Sequence, residues 1–374
     1  MAVLHSTQVR PMTVPDIPAG LKARLASLFP GTAIVETSAL APDSGAADTL
    51  KAEGYGSPLR LVLRDPAGRE RAVVFRTVTS DVFGHDRRSD RAAEVLLEWD
   101  TFRLVPGHVR ALDTGAVLRG GGLLSLAEAG EFYLLTEWAP GSPYADDLRR
   151  VVADGRCSDL DRSRADALAR HAARIHGERI PDPDRYRRSV RDLLGHGEGI
   201  FGIVDGYAPD TPGAPPERLR RIEERCLAWR WTLRANEGRL ARTHGDYHPF
   251  NVVFEEGTRF TLLDASRGCV GDPADDVTAM AVNYFFFAAA HPQAWEAGTG
   301  PLWRTFWATY LDGSGDPGIL QVLAPWLAWR CLVVACPRFY PRLPTEARDR
   351  VLRLAERALS ETAFDPAVAG EFFR

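Results

Sequence analysis

One short stretch constrains this chain more than any other. Residues 243–254 read Thr-His-Gly-Asp-Tyr-His-Pro-Phe-Asn and then Val-Val-Phe, so an acid, Asp246, and an amide, Asn251, precede a short apolar run. A second apolar run, residues 260–263, ends at another acid, Asp264. This order predicts a loop and a two-stranded hairpin with oxygen-bearing side chains at its ends. Such hard oxygen ligands suit Mg²⁺, which takes one or two protein carboxylates together with water or phosphate oxygens.

Length and composition restrict the remaining possibilities. A chain of 374 residues is too long for one ordinary core, which predicts two lobes. Its 45% hydrophobic and 26% charged residues are ordinary for a soluble protein, and a net charge of −4 gives no reason to expect nucleic acid or a membrane surface as partner. The most apolar stretch, residues 279–290, is too short to span a bilayer.

The cysteines and lysines carry two further expectations. The 5 cysteines are scattered without Cys-x-x-Cys spacing, which supports neither a disulfide framework nor a zinc site. Because the N-terminus also lacks a signal-peptide pattern, we expect a cytoplasmic protein. Almost every basic residue is arginine, and the lysines are Lys22 and Lys51. A phosphate-binding role that usually falls to lysine therefore falls to one of these two or to an arginine.

The residues before position 137 read mostly as sheet. Residues 59–64 and 71–76 flank an Asp-Pro-Ala-Gly turn and predict a β-hairpin. Residues 86–104 have apolar side chains at helical spacing and predict one long helix. Further strands are expected at residues 109–118 and 131–138.

The residues after Pro140-Gly141 read mostly as helix. We therefore predict an α+β, bilobal fold with a small antiparallel-sheet N-lobe at 1–138 and a larger, mostly helical C-lobe at 139–374, joined by a hinge near 137–141. The expected C-lobe helices cover residues 146–153, 161–176, 186–194, 217–237, 274–290, 301–311, 319–336 and 345–359.

The central stretch resembles a known family. Residues 244–251, Asp264 and the Gly-Asp-Pro-Ala-Asp-Asp run at 271–276 are similar to the aminoglycoside phosphotransferase and choline kinase-like family. This resemblance implies a protein-kinase-like fold. The chain departs from the family pattern at Tyr247, where leucine is usual, and at residues 265–267 after the second acid. Neither departure touches a ligand position.

Phosphoryl transfer gives the three oxygen-bearing residues distinct roles. Its transition state is loose, so the protein mainly positions groups and neutralises charge. Asp246 is expected to orient the attacking hydroxyl and take its proton late in the reaction. Asn251 and Asp264 are the expected Mg²⁺ ligands. The resemblance implies the same assignments.

Neighbouring residues are expected to support these three. By resemblance His244 braces the loop, with a general-base role as the alternative, and Asp276 holds the loop through hydrogen bonds. His248 beside Pro249 shapes the loop or contacts the site. Arg267 either contacts phosphate or braces the loop, or it is a plain surface arginine.

The nucleotide site is expected to use an arginine. Arg76 stands on the strand where kinases place a phosphate-binding lysine, and arginine can bind phosphate in a bidentate way. Glu94 on the following helix is its expected partner, the alternative being that Glu94 and Glu98 are both solvated. Gly54 and Gly56 are candidates for a loop over the phosphates, with Lys51 nearby and Ser44-Gly45 as the rival. Backbone groups of the hinge residues Glu137, Trp138 and Ala139 are expected to bind a purine.

Together these features predict transfer of the γ-phosphate of ATP or GTP, with Mg²⁺, to a small-molecule hydroxyl. The first candidate acceptor is an antibiotic of the aminoglycoside type, with a metabolic kinase for a sugar, amino alcohol or amino acid as the alternative, and a non-catalytic pseudokinase as the third. The chain is expected to be a monomer or homodimer, without nucleic acid or membrane partners. Acids available to a polycationic acceptor are Asp205, Asp210, Asp272, Asp275 and Glu296.

Overall fold

A computed structural model describes residues 18–40 and 58–374. Contacts within the chain divide it into two compact units, Met1–Leu135 and Thr136–Arg374. The first contains most of the sheet and the second most of the helices, as the α+β prediction requires. Within the described ranges, every helix is too short or too polar to cross a lipid bilayer.

A three-stranded antiparallel sheet forms the centre of the first unit. The strands are β1 (Ala33–Ala39), β2 (Leu59–Arg64) and β3 (Glu70–Phe75), in the order β1-β2-β3. The predicted hairpin is confirmed, because β2 and β3 pair from Leu59↔Phe75 to Arg64↔Glu70. Leucines of β2 pack with helix α1 (Ala19–Leu28) in a small apolar core.

The remaining elements of the first unit depart in part from the prediction. Helix α2 (Arg88–Thr101) forms where expected and continues into a 3₁₀ turn at Phe102–Leu104, although none of its side chains is fully buried. The strand expected at residues 109–118 is shorter than predicted: it is β4 (Gly115–Val117), which pairs with β5 (Leu123–Ser125), a strand that the sequence did not predict.

The strand expected at residues 131–138 does not form, and this prediction was wrong. Residues 126–141 contain no strand, and no described strand pairs with them. The apolar run Phe132–Leu135 is exposed instead. An apolar run indicates that a strand is possible, but a strand forms only when a neighbour accepts its hydrogen bonds.

The second unit is a helical body around a large apolar core. Its helices are α3 (Tyr144–Asp154), α4 (Asp159–His176), α5 (Pro183–Gly195), α6 (Ile200–Val204), α7 (Pro216–Arg234), α8 (Pro273–Ala289), α9 (Gly300–Ser314), α10 (Ala324–Ala335) and α11 (Thr345–Ser360). The helix expected at 319–336 is interrupted, because a 3₁₀ segment at Pro317–Gln321 precedes α10. Most of the aromatic side chains of α8, α9 and α10 are buried and belong to this core.

Short strands carry the central stretch. The strands are β6 (Ser142–Pro143), β7 (Ala241–Arg242), β8 (Val252–Glu256), β9 (Arg259–Leu262) and β10 (Val270–Gly271). The hairpin β8–β9 is the one the sequence predicts, with Val252 opposite Leu262, and β6 pairs with the outer edge of β8. Strands β7 and β10 pair at the two ends of the segment that contains the loop and the hairpin. The pairing of β7 with β10 thereby brings the two ends of residues 243–269 together.

Candidate active site

The loop at residues 243–251 is held by the first turn of α8. The carboxylate of Asp276 accepts the backbone N–H of His244 at 2.6 Å and that of Gly245 at 2.8 Å. The ring of His176 lies 3.1 Å from the same carboxylate. Burial raises the pKa of Asp276, but its bonds to His176 and to the two amides outweigh burial and lower that pKa below its ordinary value. The loop therefore rests on an ionised, fully buried acid.

Gly245 is required by the loop geometry. Its φ is +85°, in the left-handed region that favours glycine. An added Cβ would lie 2.4 Å from the carbonyl oxygen of Gly268, which belongs to the segment after the hairpin. The loop thus packs backbone against backbone at this point, and only glycine leaves enough room.

His244 acts as a brace in this structure. Its Nδ1 accepts the backbone N–H of Asp246 at 3.2 Å, and its side chain is buried. This contact links the His244 ring to the backbone of Asp246 across Gly245. The bond uses a ring nitrogen that a general base would need, so the geometry favours the bracing role over the alternative.

His248 contacts Asp246 directly. Its Nδ1 accepts the backbone N–H of Phe250 at 3.2 Å, and its Nε2 lies 3.3 Å from Oδ2 of Asp246. A neutral ring that accepts at Nδ1 carries its proton on Nε2, so His248 donates to the carboxylate. His248 therefore shapes the loop and also stabilises the charge of Asp246.

Asn251 and Asp264 lie at the same end of the β8–β9 hairpin. Leu263 N–H donates to the carbonyl of Asn251 at 2.9 Å, so the residue that follows, Asp264, is next to Asn251 along the hairpin end. The Asn251 Nδ2 donates to the carbonyl oxygen of Asp246 at 3.1 Å. This bond commits the amide nitrogen and turns the amide oxygen toward other partners.

Asp264 adopts an uncommon backbone conformation. Its φ is +50°, the single positive value outside glycine among the described residues, and its Oδ1 accepts the N–H of Ser266 at 3.2 Å. Aspartate tolerates this region because its short side chain bonds locally. Strained backbone of this kind is characteristic of functional turns.

The side-chain oxygens of Asn251 and Asp264 suit a hard cation whose coordination is completed by other ligands. Across residues 18–40 and 58–374 there is no cluster of three or more His, Cys, Asp or Glu side chains that could hold a metal. Asn251 and Asp264 offer one amide oxygen and one carboxylate. Mg²⁺ is bound by few protein ligands and keeps phosphate and water oxygens, so these two residues fit it.

Two arginines converge on the Asp246 carboxylate. Arg267 Nη1 donates to its Oδ1 at 2.9 Å, and Arg330 Nη1 donates to the same oxygen at 3.0 Å. Burial raises the pKa of Asp246, but the contacts of His248, Arg330 and Arg267 outweigh burial and hold that pKa well below its ordinary value. Asp246 is therefore an anion that can accept a hydrogen bond from a hydroxyl.

Sequence reasoning missed Arg330. Arg330 also donates to Asp275, and its guanidinium lies 4.0 Å from the ring centroid of Trp329. The Nε of Arg267 donates a hydrogen bond to the side-chain carboxylate of Glu198. The backbone carbonyl of Glu198 accepts a hydrogen bond from Trp329 Nε1 at 2.8 Å. A signal was present in the sequence, because Arg330 is the one charged residue in the apolar helix α10, and a charge in such a helix needs partners.

Two of the acids proposed to face an acceptor point elsewhere. Asp272 is fully buried, accepts from Tyr186 and Arg239, and caps α8 through the N–H of Ala274 at 2.9 Å. Asp275 is occupied by Arg330. These two candidate acids are therefore not free for a substrate, because each is paired with an arginine inside the fold.

The predicted partner of Arg76 was also wrong. Arg76 forms its ion pair with Glu98, one turn further along α2 than Glu94. Glu94 instead lies 3.2 Å from Nε2 of His85. The next carboxylate on the same helix face competes for the arginine, and spacing alone does not distinguish the two.

The other nucleotide-site candidates are placed only in part. Gly54 and Gly56, together with Lys51 and the rival Ser44-Gly45, lie outside the described residues. The hinge residues Glu137, Trp138 and Ala139 lie in the second unit, in a segment without helix or strand before β6.

The chain matches one family model over most of its length. The model describes the phosphotransferase enzyme family and matches residues 60–309, which include β3, α2 and the whole loop and hairpin. No curated protein matches the chain.

Solved structures show more distant similarity. A glucosamine kinase in complex with glucosamine, ADP and inorganic phosphate is 18% identical, with 57% of this chain and 59% of that chain covered and a TM-score of 0.40. The amicoumacin kinase hAmiN in complex with AMP-PNP, Ca²⁺ and Ami is 13% identical, with 85% and 90% covered and a TM-score of 0.39. The aminoglycoside phosphotransferase APH(3'')-Id from Streptomyces rimosus is 16% identical, with 72% and 89% covered and a TM-score of 0.31.

The family match spans well over half of the chain and contains the loop with Asp246, the hairpin with Asn251 and Asp264, and the α8 acid that holds them. The chain therefore belongs to the phosphotransferase enzyme family.

Proposed function

We propose that the protein transfers the γ-phosphate of ATP or GTP to a hydroxyl of a small molecule in a Mg²⁺-dependent reaction. The observation that carries this proposal is the state of Asp246. Its carboxylate is nearly buried, held ionised by three basic side chains, and projects from a loop whose backbone is anchored at His244 and Gly245. An ionised acid in a fixed loop is what positioning of an attacking hydroxyl requires.

In this proposal Asp246 accepts the hydrogen bond of the acceptor hydroxyl and receives its proton as the bond to phosphorus forms. Asn251 and Asp264 hold Mg²⁺, which neutralises charge on the phosphate oxygens when it is bound. Arg76 binds nucleotide phosphates, with Glu98 orienting its guanidinium. Arg267 balances negative charge next to Asp246.

The acceptor we place first is an antibiotic of the aminoglycoside type. A specific observation favours a second candidate, a small neutral or weakly charged acceptor such as a sugar, an amino alcohol or an amino acid. A polycation needs several free carboxylates, but Asp272 and Asp275 are committed to arginines inside the fold. Of the five acids considered, Asp205, Asp210 and Glu296 remain exposed.

An acceptor screen tests the proposal. ADP or GDP formation is measured with Mg²⁺ and either nucleotide over kanamycin, erythromycin, glucosamine, ethanolamine and serine. We expect one class to raise turnover well above the rate with water alone, and loss of that rate when Mg²⁺ is chelated. The opposite outcome is nucleotide binding without turnover of any of these acceptors, together with unchanged nucleotide affinity in the Asp246→Ala variant. That outcome would identify a pseudokinase.

The metal assignment has its own test. Asp264→Ala is expected to abolish Mg²⁺-dependent turnover while the protein stays folded, because it removes the carboxylate ligand. Glu256→Ala is the matched control, since Glu256 is an exposed acid at the other end of the same hairpin. Wild-type turnover by Asp264→Ala would refute the assignment.

A further inference from the structure

Arg330 is a buried charge that the assignments above do not explain. It is 4% exposed and lies within α10, where every other side chain is uncharged. A guanidinium in such a position is costly unless it is paired. Its placement therefore needs a reason in its contacts.

Every polar contact of Arg330 leads to the catalytic loop or to the acid next to the loop anchor. Nη1 donates to Oδ1 of Asp246 at 3.0 Å, and Nη2 donates to Asp275 and approaches the carbonyl of Gly245 at 3.5 Å. Trp329 covers one face of the guanidinium. The arginine therefore connects α10 and α8 to the side chain of Asp246.

Consecutive acids of α8 hold two different parts of the loop. Asp276 binds the backbone amides of His244 and Gly245. Asp275 reaches the side chain of Asp246 through Arg330. The same helical turn thus sets both the path of the loop and the direction of its carboxylate.

The orientation of Arg330 is set by these acids and not by full hydrogen bonding. Its Nε is buried and has no hydrogen-bond partner among the residues that the structure describes. A guanidinium placed for stability alone would be expected to satisfy all its donors. In this structure the Nε of Arg330 is left without a hydrogen bond, while Nη1 and Nη2 donate to Asp246 and Asp275.

Arg267 shares the same oxygen but is held differently. Its side chain is 26% exposed, and its second partner, the Glu198 side chain, is 60% exposed. Arg267 can therefore leave Oδ1 when an acceptor hydroxyl arrives, whereas Arg330 is enclosed by α8, α10 and Trp329. At the Asp246 carboxylate, Arg330 is therefore the fixed partner and Arg267 the one that can be displaced.

We propose that Arg330, oriented by Asp275, is a positioning residue for phosphoryl transfer that holds the Asp246 carboxylate in the direction in which it meets the acceptor hydroxyl. The proposal rests on the role of Asp246 given above. Arg330 acts through Asp246 and does not itself touch substrate.

Arg330→Met tests the proposal, and Arg348→Met is its control. Arg348 is 3% exposed on the neighbouring helix α11 and donates to the backbone carbonyls of Ala335 and Pro212, away from the loop. Both changes replace a buried guanidinium by an apolar chain. The activity probe is ADP formation from ATP and Mg²⁺ with the acceptor mixture of the screen.

We expect Arg330→Met to lower kcat about 100-fold with the KM for ATP within about threefold of wild type, because misdirection of a reacting group affects the chemical step. Arg348→Met should leave kcat within about threefold. Arg330→Lys should regain about tenfold, since it restores one charged donor to Asp246. Addition of Arg330→Met to Asp246→Asn should cause no further loss of kcat, because residues that act as one unit are not additive.

A second variant covers the case in which Arg330→Met does not fold. Asp275→Asn keeps the shape of the pair and is expected to lower kcat about tenfold. If Arg330→Met or Asp275→Asn matches Arg348→Met in kcat, or if losses with Asp246→Asn add in full, the inference is wrong. If Asp246→Asn itself keeps wild-type kcat, it is the proposed function that fails.

Discussion

The carboxylate of Asp276 accepts the backbone N–H of His244 at 2.6 Å, and this bond joins α8 to the loop that carries Asp246. The Asp276 side chain does not touch the proposed reacting groups, but it holds the backbone of the loop that carries Asp246. The second oxygen of the carboxylate binds Gly245, so the loop is held at two successive amides. Loop and helix are therefore expected to lose order together.

Asp276→Ala tests that support. The change leaves two buried amides without an acceptor, and each unsatisfied donor costs about 1–3 kcal/mol. We expect the free energy of unfolding to fall by about 3 kcal/mol or more in urea titrations. Asp365→Ala is the control, because Asp365 is exposed and caps the last helical segment through the N–H of Ala367, so that its loss should cost about 1 kcal/mol. Equal losses in the two variants would contradict this role of Asp276.

Gly245→Ala tests the close packing of the loop. The new Cβ would meet the Gly268 carbonyl at 2.4 Å, so the loop must move. Gly257→Ala is the control, because Gly257 also has a positive φ but nothing within 4 Å of its Cβ position. In both variants the left-handed backbone conformation should lower the free energy of unfolding by about 1 kcal/mol. Only Gly245→Ala should lower it by about 2 kcal/mol more and reduce kcat about 100-fold. Similar behaviour of both variants in thermal unfolding and kinetics would show that the contact does not matter.

Arg76→Met tests the nucleotide assignment. The ion pair of Arg76 with Glu98 is partly exposed, so its removal should change the free energy of unfolding by less than about 1 kcal/mol. We expect the KM for ATP to rise about tenfold, because a phosphate ligand is lost. Arg60→Met removes a similar exposed pair, with Glu36, from the three-stranded sheet of the same unit and should leave the KM for ATP unchanged. A KM for ATP that is the same in both variants would exclude Arg76 from the nucleotide site.

The pKa of Asp275 predicts a pH dependence of stability. Burial raises that pKa to about 6, with Arg330 opposing the shift and Asp276 adding to it. A raised pKa favours the protonated acid in the folded state. The contribution of this protonated acid to the free energy of unfolding is complete below about pH 4 and is lost as the pH rises through about 6. The total change is up to about 3 kcal/mol.

Asp275→Asn should remove this component. Urea unfolding of the wild type and the variant between pH 4 and pH 7 gives the difference in free energy of unfolding. We expect the wild type to lose stability relative to the variant as the pH rises across this range. Parallel curves would mean that Asp275 has the same pKa in the folded and unfolded chain.

Local patterns predicted the loop, the hairpin and most helices, because their determinants lie within a few residues of one another. Asp246, Asn251 and Asp264 share one continuous segment, and so the sequence contains their geometry. The segment 131–138 failed because strand formation depends on a partner from elsewhere in the chain. Arg330 was missed for a related reason, since its meaning comes from Asp246 and Asp275, which are far away in the sequence.

The pairing of Arg76 shows a finer limit. Glu94 and Glu98 lie on the same face of α2 one turn apart, and sequence spacing favours neither. The pairing of Arg76 with Glu98 is therefore decided by the tertiary structure and not by the spacing along the helix. Charge pairs at such positions need a structure to be assigned.

The kcat of Asp246→Asn, measured with ATP, Mg²⁺ and the best acceptor of the screen, tests the central claim most directly. The amide keeps the shape of the side chain but cannot take a proton, so we predict a loss of kcat of about 10³-fold with nucleotide affinity close to that of the wild type. A kcat within a few fold of the wild type would contradict the account.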